Sequence, residues 1–314
     1  MWSNSPSANN DSVFHPDLSA SNSFLSLYLL CLSSKPSSIV LLFFNATNAF
    51  LHLTFSTFII HHGLQQWWQK QPSSSRAAMS HSDCFSYNLA TMELISVIGC
   101  FITCCVNYWE DREVMSVVSY TTLCFIWFGE MLFHLLTCIE RYLAVVHPIT
   151  YLSLRNKRGI RIRNISIGCV WLFSAVGTSF FFVNFFIITS VCVLIFAVTM
   201  VSFCSLSVLR VLIRPGPGEQ VGDKKRGNKS KKRAFYTILA ILGVLLMRSA
   251  WSLGWAVLYV ARGTADCVLM TVDLWLNLPG SMVLPLVFLL RSGKCAGCKK
   301  TIHEYWNWFY MKFT

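Results

Sequence analysis

Five ionisable residues stand inside stretches of chain that are otherwise apolar: Glu93, Glu130, His134, Arg141 and Arg248. Such groups are costly in hydrocarbon, so they mark ion pairs, proton or ion paths, or surfaces kept for a partner. Glu130, His134 and Arg141 are separated by four and seven residues. At about 100° per residue they fall within about 40° of one another, and that polar helix face must look into a bundle. Glu130 lies about 16 Å above Arg141, and Glu93 about 15 Å above Asp83 on the preceding helix. Equal depth makes the two carboxylates candidate neighbours, which repel unless one is protonated or a cation intervenes. Arg248, about 22 Å above Arg233, is only slightly higher. A buried Glu93/Glu130/Arg248 cluster is therefore expected; the alternative is an Arg248 that snorkels or faces a water-filled cavity independently. No nucleophile, base or metal-ligand constellation argues for an enzyme. Cys295-Ala-Gly-Cys298 lacks the second ligand pair of a zinc site and the strand-helix setting of a redox motif.

The elements that must position these residues follow from composition. With 54% hydrophobic and 13% charged residues over 314 positions and a mean hydropathy of +0.52, the chain is too apolar for a soluble domain. An all-α membrane protein is expected. Seven stretches reach the roughly 20 residues one crossing needs, near 38–60, 84–106, 114–139, 164–183, 187–210, 234–260 and 268–290. The fourth and fifth are nearly fused. From Ile165 to Ile213 the only charge is Arg210, and a helix of that length would be about 70 Å long, enough for two crossings with a short turn near Asn184.

Of the 26 Lys and Arg, all but Lys35, Arg112, Arg248 and Arg262 lie in segments that would then share one side. That distribution sets the N-terminus outside and the C-terminus inside. It also makes nucleic-acid binding a poor account of the +12 charge, because the basic runs alternate with spans. Residues 1–36 read as a Ser/Asn-rich, mostly disordered exterior tail with a glycosylation sequon at Asn10. Residues 37–291 form the seven-span domain. Residues 292–314 form a cytoplasmic tail with a short interfacial amphipathic helix, in which Cys295 and Cys298 are palmitoylation candidates. Most of the 13 cysteines lie inside spans and read as small packing residues.

The strip CIERYLAVVHP, residues 138–148, ends the third span. It closely resembles the end of the third helix and the second inner loop of rhodopsin-like G-protein-coupled receptors, through Glu140-Arg141-Tyr142 and the later Pro148. Asn88-Leu89-Ala90 with Glu93 is similar to the family's second-helix motif, Glu93 replacing aspartate, and Trp171 to its fourth-helix tryptophan. The resemblance implies a plasma-membrane seven-helix bundle that couples an extracellular ligand to heterotrimeric G proteins. In it Glu140 holds Arg141 at rest and releases it to the partner, while Asn88, Trp171, Pro285 and Phe288 belong to helix-packing motifs. It also matches Glu93 and Glu130 to positions around the family's sodium ion, a site that the Glu93/Glu130/Arg248 cluster would replace; no cofactor is expected, a sodium ion near Glu93 and Glu130 being the one candidate.

Departures from that pattern are numerous. Ser116 stands where the family has a bridging cysteine, and Cys192 and Cys267 are the outer-leaning cysteines left, with no basis for pairing them. Arg248-Ser249-Ala250-Trp251 replaces the sixth-helix hinge, and Phe288 follows Pro285 in place of a tyrosine. Leu123 stands where amine receptors carry aspartate, with Cys124 beside it and Trp127 and Phe128 one turn deeper. The implied pocket is thus apolar and aromatic, suited to a lipid, an odorant-like molecule or a peptide and not to a cationic amine, unless it is closed packing. Asp273 and other outer acids would attract a basic peptide or be merely solvated. The expected function is that of an orphan receptor. The alternatives are a non-signalling scaffold of the same fold, and a channel or transporter whose path uses Glu93, Glu130, His134 and Arg248.

Overall fold

The computed structural model describes residues 28, 30–69, 81–105, 112–154, 156–180, 186–213, 242–258, 261 and 267–292. All secondary structure among them is helical: α1 (Lys35–Gln69), α2 (His81–Cys105), α3 (Arg112–Val146), α4 (Pro148–Ser153), α5 (Lys157–Ser179), α6 (Phe186–Ile213), α7 (Leu242–Leu258) and α8 (Cys267–Ser292). Five of these, α1, α2, α3, α6 and α8, are long and apolar enough to cross a membrane. Helix is the form an isolated apolar segment takes there, because it satisfies every backbone N–H and C=O internally. α5 opens on Lys157, Arg158, Arg161 and Arg163, which shortens its apolar run, and the described part of α7 is short.

The exterior fits hydrocarbon. Phe43, Phe50, Phe101, Leu172, Phe173 and Val268 are 61% to 70% exposed, an apolar surface that a monomer in water rarely presents.

α3 is the hub. Of its apolar stretch 61% is buried, against 28% to 44% for the other four candidate spans. It packs on α2, α5 and α6, while α1 packs along α2 and α8. Its side chains join a layer with Tyr28, Cys31, Leu41 and Met270 at one end, a central layer with Leu89, Met92, Val170 and Leu284, and a layer with Val201, Leu242 and Leu245 toward the other end.

The helices outrun the expected spans, α1 covering 35–69 instead of 38–60 and α3 continuing to Val146 instead of 139. Charges mark where hydrocarbon ends and do not stop a helix. α3 stops at His147, which has left the helical region (φ −126°, ψ 64°). Pro148 crowds the residue before it and then takes the first position of α4. Two prolines, Pro279 and Pro285, lie inside α8 and interrupt its ladder.

One end differs from expectation. The residues before α1 are not all a disordered tail: helical hydrogen bonding runs back from Ser38 through Ser34 to Leu30, and Tyr28 and Cys31 are buried. Cys31 is bridged to Cys267 at the start of α8. Cys192, one of the two outer-leaning cysteines, is free and exposed on α6. The bridge was hidden because its partner lies in the segment that composition assigned to a tail. Asn10, the turn near Asn184, and Cys295 and Cys298 lie outside the described residues.

Candidate functional site

The buried charges form two hydrogen-bonded groups, Glu93 with its partners and Glu130 with Arg248, close enough to interact electrostatically. On the α1 side, Glu93 Oε2 accepts a hydrogen bond from Ser56 Oγ at 2.6 Å and lies 3.5 Å from His52 Nδ1. All three side chains are essentially sealed from solvent. On the α3 side, Glu130 Oε2 accepts from Arg248 Nη1 at 3.0 Å. Arg248 Nε in turn donates to Asn277 Oδ1 of α8 at 2.7 Å. Glu93 thus draws its partners from α1, whose contribution hydropathy did not reveal. A signal was present, since Asn48, His52 and Ser56 recur every fourth residue on one face of α1, and all three are buried.

The positive charge beside Glu130 is a side chain. Arg248 already supplies the positive charge at Glu130, and Glu93 Oε2 is taken by Ser56 and His52, while Glu93 Oε1 is buried without a hydrogen-bond partner. Among the described residues no group of three or more His, Cys, Asp or Glu could hold a metal.

Arg248 needs room against α8, and Gly280 provides it: a Cβ at that position would overlap Arg248 Cδ. Asn277 passes the connection on, donating through Nδ2 to the backbone carbonyl of Asp273 at 2.8 Å. Ser252 Oγ of α7 donates to Asp273 Oδ1 at 3.4 Å. A continuous polar line therefore runs Glu130–Arg248–Asn277–Asp273 across α3, α7 and α8.

The far end of that line opens on a cavity of about 160 Å³ between α3, α6, α7 and α8, with Tyr28 at its edge. Leu123, Cys124 and Trp127 line it from α3, and Trp255, Met270 and Asp273 from α7 and α8. Phe128, expected there too, faces α5 instead, its ring within 3.1 Å of where a side chain on Gly177 would start. Helical rotation separates it from its neighbour Trp127, which it meets edge-on at 5.1 Å. Asp273, expected to be an outer or solvated acid, is in the cavity wall. The carboxylate missing at Leu123 is thus supplied from α8, which the α3 sequence had no means of revealing. Tyr28 lines the cavity's edge, held by its ring contact with Tyr120 (5.2 Å) and a 3.4 Å hydrogen bond to Ser119. Ser116, nearby on α3, is buried with its hydroxyl unpartnered.

At the opposite end of α3, Glu140 Oε1 accepts from the hydroxyl of Tyr151 in α4 at 3.0 Å, a partner the sequence reading missed. Tyr142 lies against His147, 3.2 Å from hydroxyl to ring nitrogen, and against Phe203 of α6. Pro148 begins α4 and thereby sets Tyr151 in reach. Arg141 lines a second cavity of about 20 Å³ together with His134, Cys138 and Ser205, a space sufficient for about one water. Both ring nitrogens of His134 are buried and unpartnered, so it belongs to this inner cavity and not to the ion pair.

The remaining predicted residues serve packing. Trp171 Nε1 donates to Asn88 Oδ1 at 3.3 Å, tying α5 to α2. Pro285 is fully buried, and Phe288 packs on Ile59 and Ala90 and edge-on to Tyr87 and His62, joining α8 to α1 and α2. No known family model matches this chain, and no curated protein matches it either.

Proposed function

We propose that the chain is a seven-helix receptor of the rhodopsin-like kind, α5 and α7 crossing the membrane along with the five longer apolar helices. In this reading it sits in the plasma membrane and couples occupancy of the outer cavity to a heterotrimeric G protein at the inner end of α3. One observation carries the reading: the polar line from Asp273 in the cavity wall through Asn277 and Arg248 to Glu130. Glu130 stands on the same face of the same helix as Arg141, eleven residues away. An occupant that moves Asp273 loads the Arg248–Glu130 pair, and any shift of α3 against α7 is felt where Arg141 lines the inner cavity. Tyr151 holds Glu140, so release of that contact is the step that would free the inner end for a partner. A path for ions or protons through Glu93, Glu130, His134 and Arg248 is less well supported, since Glu130 and Arg248 are committed to each other and Glu93 Oε2 to Ser56, although His134 is buried and unpartnered.

The test compares G-protein activation reporters for the wild-type chain and Arg141→Ala at matched surface expression. Basal activation abolished by the substitution is the expected result. Activation of equal size in both chains would sink the coupling role of Arg141.

A further inference from the structure

We propose that the outer cavity takes a small hydrophobic cation, a protonated amine on an aromatic or aliphatic frame, with Asp273 as its counter-ion. This inference rests on reading the cavity as the ligand site. Three features of the wall converge on it. Leu123, Trp127, Met270 and Trp255 make the wall predominantly apolar, and burial of matching apolar surface supplies most of the attraction for a small ligand.

Asp273 breaks that apolar wall with a carboxylate that forms no ion pair among the described residues. Its hydrogen-bond partners, Ser252 at 3.4 Å and Asn277, are neutral. Arg248, the cation nearest along the polar line, is spent on Glu130 and Asn277. A carboxylate held in an apolar cavity by neutral partners is incompletely compensated, and an ammonium group completes it with charge-assisted hydrogen bonds. A ligand carboxylate or phosphate would be repelled by the same group. Trp127, Trp255 and Tyr28 also put aromatic rings in the wall, and the face of such a ring attracts a cation through its quadrupole.

Size sets the frame. About 160 Å³ is close to the roughly 150 Å³ that admits a benzene ring in an engineered apolar cavity. Benzylamine, benzyl alcohol and benzoate therefore form a matched set of cationic, neutral and anionic probes. The full chain, purified in detergent micelles, is titrated with each, and the apparent affinity is read from the concentration dependence of the thermal unfolding midpoint.

Benzylammonium is expected to bind at least about 10-fold tighter than benzyl alcohol, and benzoate not at all. In Asp273→Asn the preference for the cation should vanish while benzyl alcohol stays within about threefold of its wild-type affinity. Equal or better binding of benzyl alcohol by the wild type, binding of neither compound, or an undiminished preference in Asp273→Asn would each overturn the inference. Should Asp273→Asn fail to fold, the wild-type ranking of the three probes decides. The outcome is separable from that of the receptor reading. A chain that prefers benzylammonium but never activates a G protein loses only the latter. One that activates but shows no preference loses only the former.

Discussion

Removing one member of the Glu130–Arg248 pair should cost far more than removing both. The two charges are 3.0 Å apart with side-chain exposures of 7% and 3%. At an effective dielectric of about 20 and charge centres about 4 Å apart, their attraction is about 4 kcal/mol. Deleting one partner of a buried pair typically costs about 3–5 kcal/mol, because the other is left uncompensated. The two deletions should not be equal. A lone Glu130 carboxyl can take up a proton and remain as a neutral acid, whereas a lone guanidinium stays charged. Glu130→Met is thus expected at the upper end of that range and Arg248→Met at or below the lower end. Double replacement by methionine, similar in length and apolar, should return to within about 2 kcal/mol of wild type. At about 2 °C per kcal/mol, the larger single loss is a fall of about 10 °C in midpoint. The assay is thermal unfolding of the purified full chain, followed with a thiol-reactive dye. Cys84, Cys100, Cys124 and Cys204 are free and buried, so they report opening of the bundle. A double variant that loses the sum of the two single losses would refute the coupling.

Gly280→Ala should push the Arg248 side chain away from Glu130 and Asn277, lowering stability by about 1–3 kcal/mol. The same change in an Arg248→Met background should be nearly neutral, and equal losses in both backgrounds would show that the two residues do not touch. Replacing Cys31 and Cys267 together by serine should lower stability by about 2–4 kcal/mol, since the bridge spans 236 residues of sequence. It should also let solvent reach the cavity edge at Tyr28, read as faster iodination of that residue. An unchanged midpoint would mean that the segment before α1 is held by packing alone.

Local periodicity made much of the scaffold legible. The apolar stretches announced the long helices, and the spacing of Glu130, His134 and Arg141 announced a polar face on α3, because a 3.6-residue period converts sequence separation directly into angle. The stop at Pro148 was equally local, a steric effect of proline on the residue before it. Depth along a helix was legible for the same reason: with 1.5 Å per residue, Glu93, Glu130 and Arg248 could be set near one level.

Partnership was not legible. That Glu93 turns to His52 and Ser56, while Glu130 turns to Arg248, depends on how α1, α2, α3 and α7 are rotated about their own axes. Equal depth leaves that rotation undetermined. The same holds for Phe128, which its position beside Trp127 suggested for the cavity and which the turn of α3 aims at α5. Composition assigned Cys31 and Tyr28 to a polar tail, yet their burial depends on a groove that exists only once α3 and α8 have come together. Asp273 enters the cavity wall by the same kind of event, from a helix about 150 residues away in sequence from Leu123. By itself, then, the sequence determined which segments become helices, how deep each charge lies and which face of α3 is polar, all consequences of short-range geometry. The tertiary structure alone decided which charges meet, what lines the cavity's edge and where its carboxylate comes from, since those depend on packing between helices that no local pattern encodes.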